Sequence, residues 1–312
     1  MLKGSILNNS STIGIIAPSS YEDNTKINNL INQFKTLGFN IKLGNHLFEK
    51  NSFFAGSDYN RASDINDMFA AKNIDGIICL RGGYGSIRTI PYINKELIIN
   101  NPKFFCGFSD ITMLLNYFNS LGLITFHGPM INSNFNDIKT LSSFINIIKT
   151  HNTNFFYNLN LYPYINYSNL KSFSGKLVGG NLSILCSSIG TPYEIDTSNS
   201  IIFLEEINEA PYTIDRMLTQ LIFANKFKSC NGVIVGYLSN TSNYNNSNDK
   251  KLFEQTIIDR LKPLNIPIIL GFPCGHNYPN LTIPIGCNIL FDSISKNIIF
   301  LDSFLNNKKA SE

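Results

Sequence analysis

Phe104-Phe105-Cys106-Gly107-Phe108-Ser109-Asp110-Ile111-Thr112 decides how the rest of the chain is read. An apolar run stops at Gly107, a serine follows two residues later, and helical spacing sets in at once over Ile111–Asn119. A strand that gives way to a helix through so tight a turn holds a serine hydroxyl out at its carboxyl end, with the next backbone N–H at a helix N-terminus. A small residue before the serine lets strand and helix approach closely. The second glycine of a G-x-S-x-G pattern is missing, however, and serine is a common helix N-cap. This segment alone leaves both readings open, nucleophile and cap.

Upstream the same alternation repeats. Strands are expected at Ser11–Ala17, Phe39–Leu43 and Gly76–Leu80, with helices at Lys26–Leu37 and Tyr59–Ala71. Downstream, Ile124–His127 is a further strand. Apolar strands alternating with helices mean a parallel sheet covered on both faces. From about Asn132 to Leu170 the chain is rich in Asn and Tyr with weak periodicity, and reads as a connection. Strands follow at Phe173–Val178, Ile201–Leu204, Val233–Tyr237 and Ile266–Leu270, with helices at Leu182–Ser188, Thr213–Asn225 and Lys250–Leu261 and a polar loop over Ser239–Asp249. The expected organisation is an amino-terminal α/β domain over 1–150, a connecting segment over 151–172, and a carboxy-terminal α/β domain over 173–312.

Composition narrows the class. The 312 residues are 43% hydrophobic and 15% charged, with a formal net charge of +3, which describes a globular chain with a substantial core. Lys and Arg are scattered, so no nucleic-acid partner is expected. No apolar run approaches the roughly 18 residues of a membrane span, and the amino terminus lacks a secretory apolar region, so neither membrane nor export is expected. The six cysteines, none in a C-x-x-C pair, read as buried reduced thiols. Without H-E-x-x-H, paired-cysteine or calcium-loop motifs, no metal or other cofactor is expected.

A serine nucleophile needs a base, and the chain offers four histidines. His46 and His151 lie in polar, loop-like contexts. His127 ends a strand at the sheet edge that should carry Ser109, and His276 follows a strand in the Gly/Pro-rich loop Gly271–Asn277. Both could reach a site at the carboxyl ends of parallel strands. An orienting carboxylate is offered by Ile201-Ile202-Phe203-Leu204-Glu205-Glu206, an apolar strand ending in two acids, whereas Glu209 and Asp215 fit better as helix-dipole partners. The cluster Arg81-Gly82-Gly83-Tyr84-Gly85 follows a strand. It lacks dinucleotide and P-loop spacing, and could cradle a phosphate, aim backbone N–H groups at an oxyanion, or form a plain turn.

Together these segments resemble the LD-carboxypeptidases, a serine peptidase family that includes the microcin C immunity proteins. The resemblance runs in order through Ile13–Ser19, Leu80–Gly85, Gly107–Thr112, His127-Gly128-Pro129, Leu177–Ser183, Leu204-Glu205-Glu206 with Asp215-Arg216, and Gly271-Phe272-Pro273 with Gly275-His276. It implies two mixed α/β domains, the first a flavodoxin-like parallel-sheet domain carrying the nucleophile, and an active site at their interface. It implies Ser109 as nucleophile, His276 as base and Glu205 as orienting acid, the last chosen over Glu206 by aligning Leu204-Glu205-Glu206 with the family's Leu-Glu-Asp. The oxyanion donors would be the backbone N–H groups of Asp110 and Gly83. Arg81, Tyr84 and Arg88 are candidates for reading the substrate, with a structural role equally open for the two arginines.

Within that family the murein enzymes release the terminal D-Ala of a tetrapeptide, cutting after the L-centre of meso-diaminopimelate. The immunity proteins cleave a peptidyl-aminoacyl adenylate and as a rule stack its base on an aromatic residue, often Trp. This chain has no Trp, so the expected partner is a murein tetrapeptide, in a cytoplasmic enzyme that is a homodimer by resemblance. A non-catalytic binder of the same fold, holding an anion on Gly82-Gly83, is the reading from another class.

Overall fold

The computed structural model describes residues 1–150, 155–166, 171–239 and 247–307. Their backbone contacts divide into two compact units, one from the described residues of Met1–His151, Leu281–Gly286 and Ser303–Glu312, the other from those of Asn152–Asn280 and Cys287–Asp302. His151 and residues 240–246 of the expected polar loop lie outside the described residues.

The first unit is built on a six-stranded sheet, ordered Ile283–Ile285, Thr125–His127, Phe104–Gly107, Gly76–Cys79, Thr12–Ile16, Asn40–Leu43. The five amino-terminal strands are parallel, and Ile283–Ile285 closes one edge antiparallel to Thr125–His127. Every residue of Gly76–Cys79 and Phe104–Gly107 is buried, as the continuous apolar runs require of a sheet covered on both faces. Helices Asn24–Lys35 and Asp58–Ala70 begin where Asp23 and Ser57 cap their first turns.

Helix Ile138–Lys149 falls in the stretch expected to be a connection. Asp137 caps it by accepting from Thr140 N–H, and it buries Phe144, Ile147 and Ile148, each worth roughly 1.5–3 kcal/mol of burial. Phe144 meets Phe104 of the sheet edge-on.

The second unit holds an eight-stranded sheet, ordered Phe156–Asn158, Asn297–Phe300, Asn288–Asp292, Phe173–Asn181, Ser200–Ile207, Gly232–Ser239, Ile268–Leu270, Ile165–Asn166. The run from Phe173–Asn181 to Ile268–Leu270 is parallel, and both flanks are antiparallel. Two differences from the expected ranges have a common cause, main-chain pairing that local sequence does not display. The expected connection 151–172 supplies edge strands Phe156–Asn158 and Ile165–Asn166 to this sheet, and Leu281–Gly286, expected in the carboxy-terminal part, pairs in the other one.

The strand Ser200–Ile207 is longer than the apolar run Ile201–Leu204, so Glu205 and Glu206 lie within it rather than at its end. Among the described residues no helix is long and apolar enough to cross a membrane.

Candidate active site

Ser109 sits at φ 63°, in the left-handed region that a residue with a Cβ rarely adopts, at a cost on the order of 1–3 kcal/mol. The turn is a short 3₁₀ segment, Ser109–Ile111, that leads into the α-helix Thr112–Ser120. Phe108 and Ile111 occupy the two cap positions and neither helix start has a side-chain cap, so Ser109 is not a capping residue. Gly107 makes the turn possible, since a Cβ there would lie 2.8 Å from Ile111 Cγ2 and 3.0 Å from its Cβ.

The glycine-rich loop lies against this serine. A Cβ on Gly82 would lie 2.8 Å from Ser109 Cβ, 3.0 Å from its Oγ and 3.4 Å from Asp110 N. Gly83 follows at φ 123°. Among the described residues the backbone N–H groups of Asp110 and Gly83 donate to no other group of the chain, so both remain available, one directly after Ser109 and the other one residue past the glycine that packs on it.

The loop is tied down from beneath. The Asp110 side chain is buried, and its carboxylate accepts from Ser19 Oγ and, at 2.8 Å, from the Ser86 N–H. Ser86 Oγ in turn donates to the Asp110 carbonyl at 2.6 Å. Ser20 Oγ accepts from the Tyr84 N–H at 3.2 Å. Arg61, 1% exposed, donates through Nη1 to the Pro18 carbonyl and to the Gly85 carbonyl (2.9 Å), and through Nη2 to Asp58 (2.5 Å).

Ser19, Ser86 and Arg61 were not singled out from sequence. Arg61 had a signal, an arginine on the buried face of helix Asp58–Ala70 beside Ala62 and Ile65, because a charge on an apolar stripe needs buried partners.

The residues expected to read the substrate are partly engaged elsewhere. Arg81 Nη1 donates to the Tyr21 carbonyl and to Glu22, both at 3.2 Å. Tyr84 is half exposed and packs with Phe53 and Phe54. Arg88 pairs with Asp58 and lies over the Phe54 ring.

In the second unit, Glu205 is fully buried and its Oε2 lies 2.7 Å from His276 Nδ1. An ionised carboxylate can only accept, so Nδ1 is the donor in this bond, and the neutral form of the ring would then carry its lone pair on Nε2. Burial by itself would push the His276 imidazole down, but the charge and hydrogen bond of Glu205, with the charge of Glu206, outweigh it and hold the group above its ordinary value.

Glu206 has different partners. It accepts from Asn181 Nδ2 (2.9 Å), Ser183 N–H (2.8 Å) and Ile207 N–H (2.8 Å), which joins its strand to the start of helix Leu182–Ser188. Burial pushes its carboxyl up against those hydrogen bonds. Gly275 brings the histidine loop in at φ 125°, with space for no Cβ, which would lie 2.8 Å from Glu205 Oε2. The Gly275 N–H donates to Asn280 Oδ1 at 3.0 Å and steadies the loop.

Of the other histidines, His127 is fully buried with its ring 5.8 Å from that of Phe108, and His46 Nδ1 lies 2.7 Å from Glu49. All six cysteines are buried, and none is in a disulfide. Among the described residues no group of three or more His, Cys, Asp and Glu converges so as to hold a metal ion.

Known proteins match the chain in both halves. Residues 13–128 match the LD-carboxypeptidase N-terminal domain and residues 174–290 the LD-carboxypeptidase C-terminal domain. A probable murein peptide carboxypeptidase of Bacillus subtilis is 35% identical over 300 residues, covering 95% of this chain and 93% of that one. The microcin C7 self-immunity protein MccF of Escherichia coli is 27% identical over 330 residues, covering 96% and 95%. Among solved structures, muramoyltetrapeptide carboxypeptidase of Oxalobacter formigenes superposes with a TM-score of 0.81 at 26% identity, covering 95% of this chain and 100% of that one.

Proposed function

Because the chain belongs to the LD-carboxypeptidase family, we propose that it is a serine peptidase releasing the terminal D-Ala of a murein tetrapeptide. The observation that carries this reading is the strained turn at Ser109 against the glycine loop, with the N–H groups of Asp110 and Gly83 unengaged. The Glu205–His276 pair supports it, as a base whose tautomer is fixed by a buried acid.

In this reading His276 Nε2 takes the proton of Ser109 as its Oγ attacks the carbonyl of the penultimate residue. The Asp110 and Gly83 N–H groups bind the oxyanion, and removing one such donor costs about 100- to 1,000-fold in rate. Collapse breaks the C–N bond, and His276 gives its proton to the D-Ala amine. A water then loses a proton to His276 and attacks the acyl-enzyme carbonyl, and as the acyl C–Oγ bond breaks His276 returns that proton to Ser109. Glu205 holds the imidazole in place and stabilises its charge without itself being protonated.

The test is incubation with L-Ala-γ-D-Glu-meso-diaminopimelate-D-Ala on an anhydro-muropeptide, without added metal, following D-Ala by mass spectrometry. Release by the wild type and none by Ser109→Ala supports the reading, and no release from folded wild type rejects the murein assignment. Similarity to MccF favours a second substrate, a peptidyl-aminoacyl adenylate, and hydrolysis of that compound alone would select it. A cytoplasmic homodimer goes with the reading, and light scattering of the purified protein checks the dimer.

A further inference from the structure

We infer that the Asp110 carboxylate is a positioning residue for the proposed hydrolysis, holding the Gly82–Ser86 loop so that the Gly83 and Asp110 N–H groups converge on one oxyanion. The inference rests on the reading of Ser109 as nucleophile and assigns a task to a side chain whose backbone alone that reading uses.

Three observations carry it. The side chain is 3% exposed, and a polar group is kept from water only where hydrogen bonds replace hydration. Its partners are the Ser86 N–H, at the far end of the glycine loop, and Ser19 Oγ, in the turn after strand Thr12–Ile16. With the return bond from Ser86 Oγ to the Asp110 carbonyl, the residue that offers one donor is tied twice to the loop that offers the other.

The tie matters because the loop is rich in glycine. Gly82, Gly83 and Gly85 give it wide backbone freedom, with Gly83 and Gly85 at φ 123° and 111°. A loop left to sample those states would present the Gly83 N–H for only part of the time. Oxyanion stabilisation depends on donors that are in place before charge develops. Arg61 joins the same loop to the Pro18 turn through the Gly85 and Pro18 carbonyls, so a buried carboxyl and a buried guanidinium fix its end.

The test uses the full chain with Asp110→Ala, Asp110→Asn, Ser19→Ala and Ser86→Ala. Each is followed by kcat and KM for D-Ala release, by the rate of fluorophosphonate labelling of Ser109, and by thermal unfolding. A displaced donor weakens the transition state and not the ground state. Asp110→Ala should therefore lower kcat and labelling rate about 100-fold, with KM within about threefold and the pH midpoint of kcat/KM unmoved. Asp110→Asn keeps an acceptor oxygen and should recover about tenfold of that loss.

Serine variants that fold as the wild type does but are slower in labelling support the inference even if Asp110→Ala fails to fold. Wild-type kcat and labelling in Asp110→Asn, Ser19→Ala and Ser86→Ala alike would overturn it. So would losses confined to KM or to unfolding temperature. Failure of the function reading looks different, because a wild type that neither releases D-Ala nor labels overturns both. A wild type that labels but spares the murein peptide leaves the labelling rates to decide the role of Asp110.

Discussion

Around Ser109 the features suited to a reacting carbonyl are backbone or the absence of a side chain, namely a left-handed serine, two N–H groups and the bare Cα of Gly82. Around His276 they are side chains, an imidazole and a buried carboxylate 2.7 Å apart. Backbone devices do not depend on which polar side chain is nearby but fail when a Cβ is added. Side-chain devices respond to the change of a single atom from oxygen to nitrogen.

Mutagenesis can break or sharpen that contrast. The largest effect is expected for Ser109→Ala, which should reduce D-Ala release by about 10⁴-fold or more and abolish fluorophosphonate labelling. Glu205→Gln should follow at about 10³- to 10⁴-fold in kcat, since the neutral amide no longer stabilises the imidazolium and can turn its NH2 to Nδ1, which favours the wrong tautomer. Glu206→Gln, one residue along the same strand, should lower the unfolding temperature while kcat stays within about tenfold, because its partners are Asn181, Ser183 and Ile207. Equal kinetic losses in the two variants would remove the distinction drawn between these acids.

The pH profile reads the same pair. His276 is a base only when neutral and its pKa is raised, so kcat/KM should climb with pH through a midpoint above the ordinary histidine value. In Glu205→Gln the opposing effect of burial is less balanced, so the midpoint should move down. A midpoint that does not move would show that Glu205 does not set the base.

Adding one carbon tests the backbone side. Gly82→Ala, whose Cβ would crowd Ser109 Cβ and Oγ, should cost about 100-fold in kcat, comparable to an oxyanion donor. Gly275→Ala combines crowding of Glu205 with a left-handed backbone, and should cost on the order of 1–3 kcal/mol of stability. The smallest effect is expected for Arg81→Ala. Its partly exposed pair with Glu22 is worth about 0–1 kcal/mol, and a KM raised more than about tenfold would reveal direct contact with substrate.

The sequence displayed some of this and hid the rest for physical reasons. The strand–turn–helix at 104–112 was legible because its apolar run and Gly107 act on near neighbours. Helix Ile138–Lys149 was not, since its buried face includes Thr140 and Ser143, which dilute the apolar period. Strand Ile283–Ile285 carries Pro284, tolerable only because it closes an edge. Glu205 and Glu206 marked the end of an apolar run, yet the backbone pairs on through Glu206 with Leu238. The ties of Asp110 could not be read at all, for Ser19 lies 91 residues away and Ser86 lies 24, and spacing carries no information at that range.

That closing edge has a consequence for the order in which the chain is made. A ribosome releases the strands up to Thr125–His127 early, yet their last neighbour is Ile283–Ile285. Phe304, which meets the Phe126 ring at 6.1 Å, and Asn306, which exchanges main-chain hydrogen bonds with Gly4 and Ile6, come later still. Until then the nascent chain presents an open β edge that another strand could take. The unit that begins first is the one completed last, and a chain stopped before residue 281 would leave the ribosome with that edge uncovered.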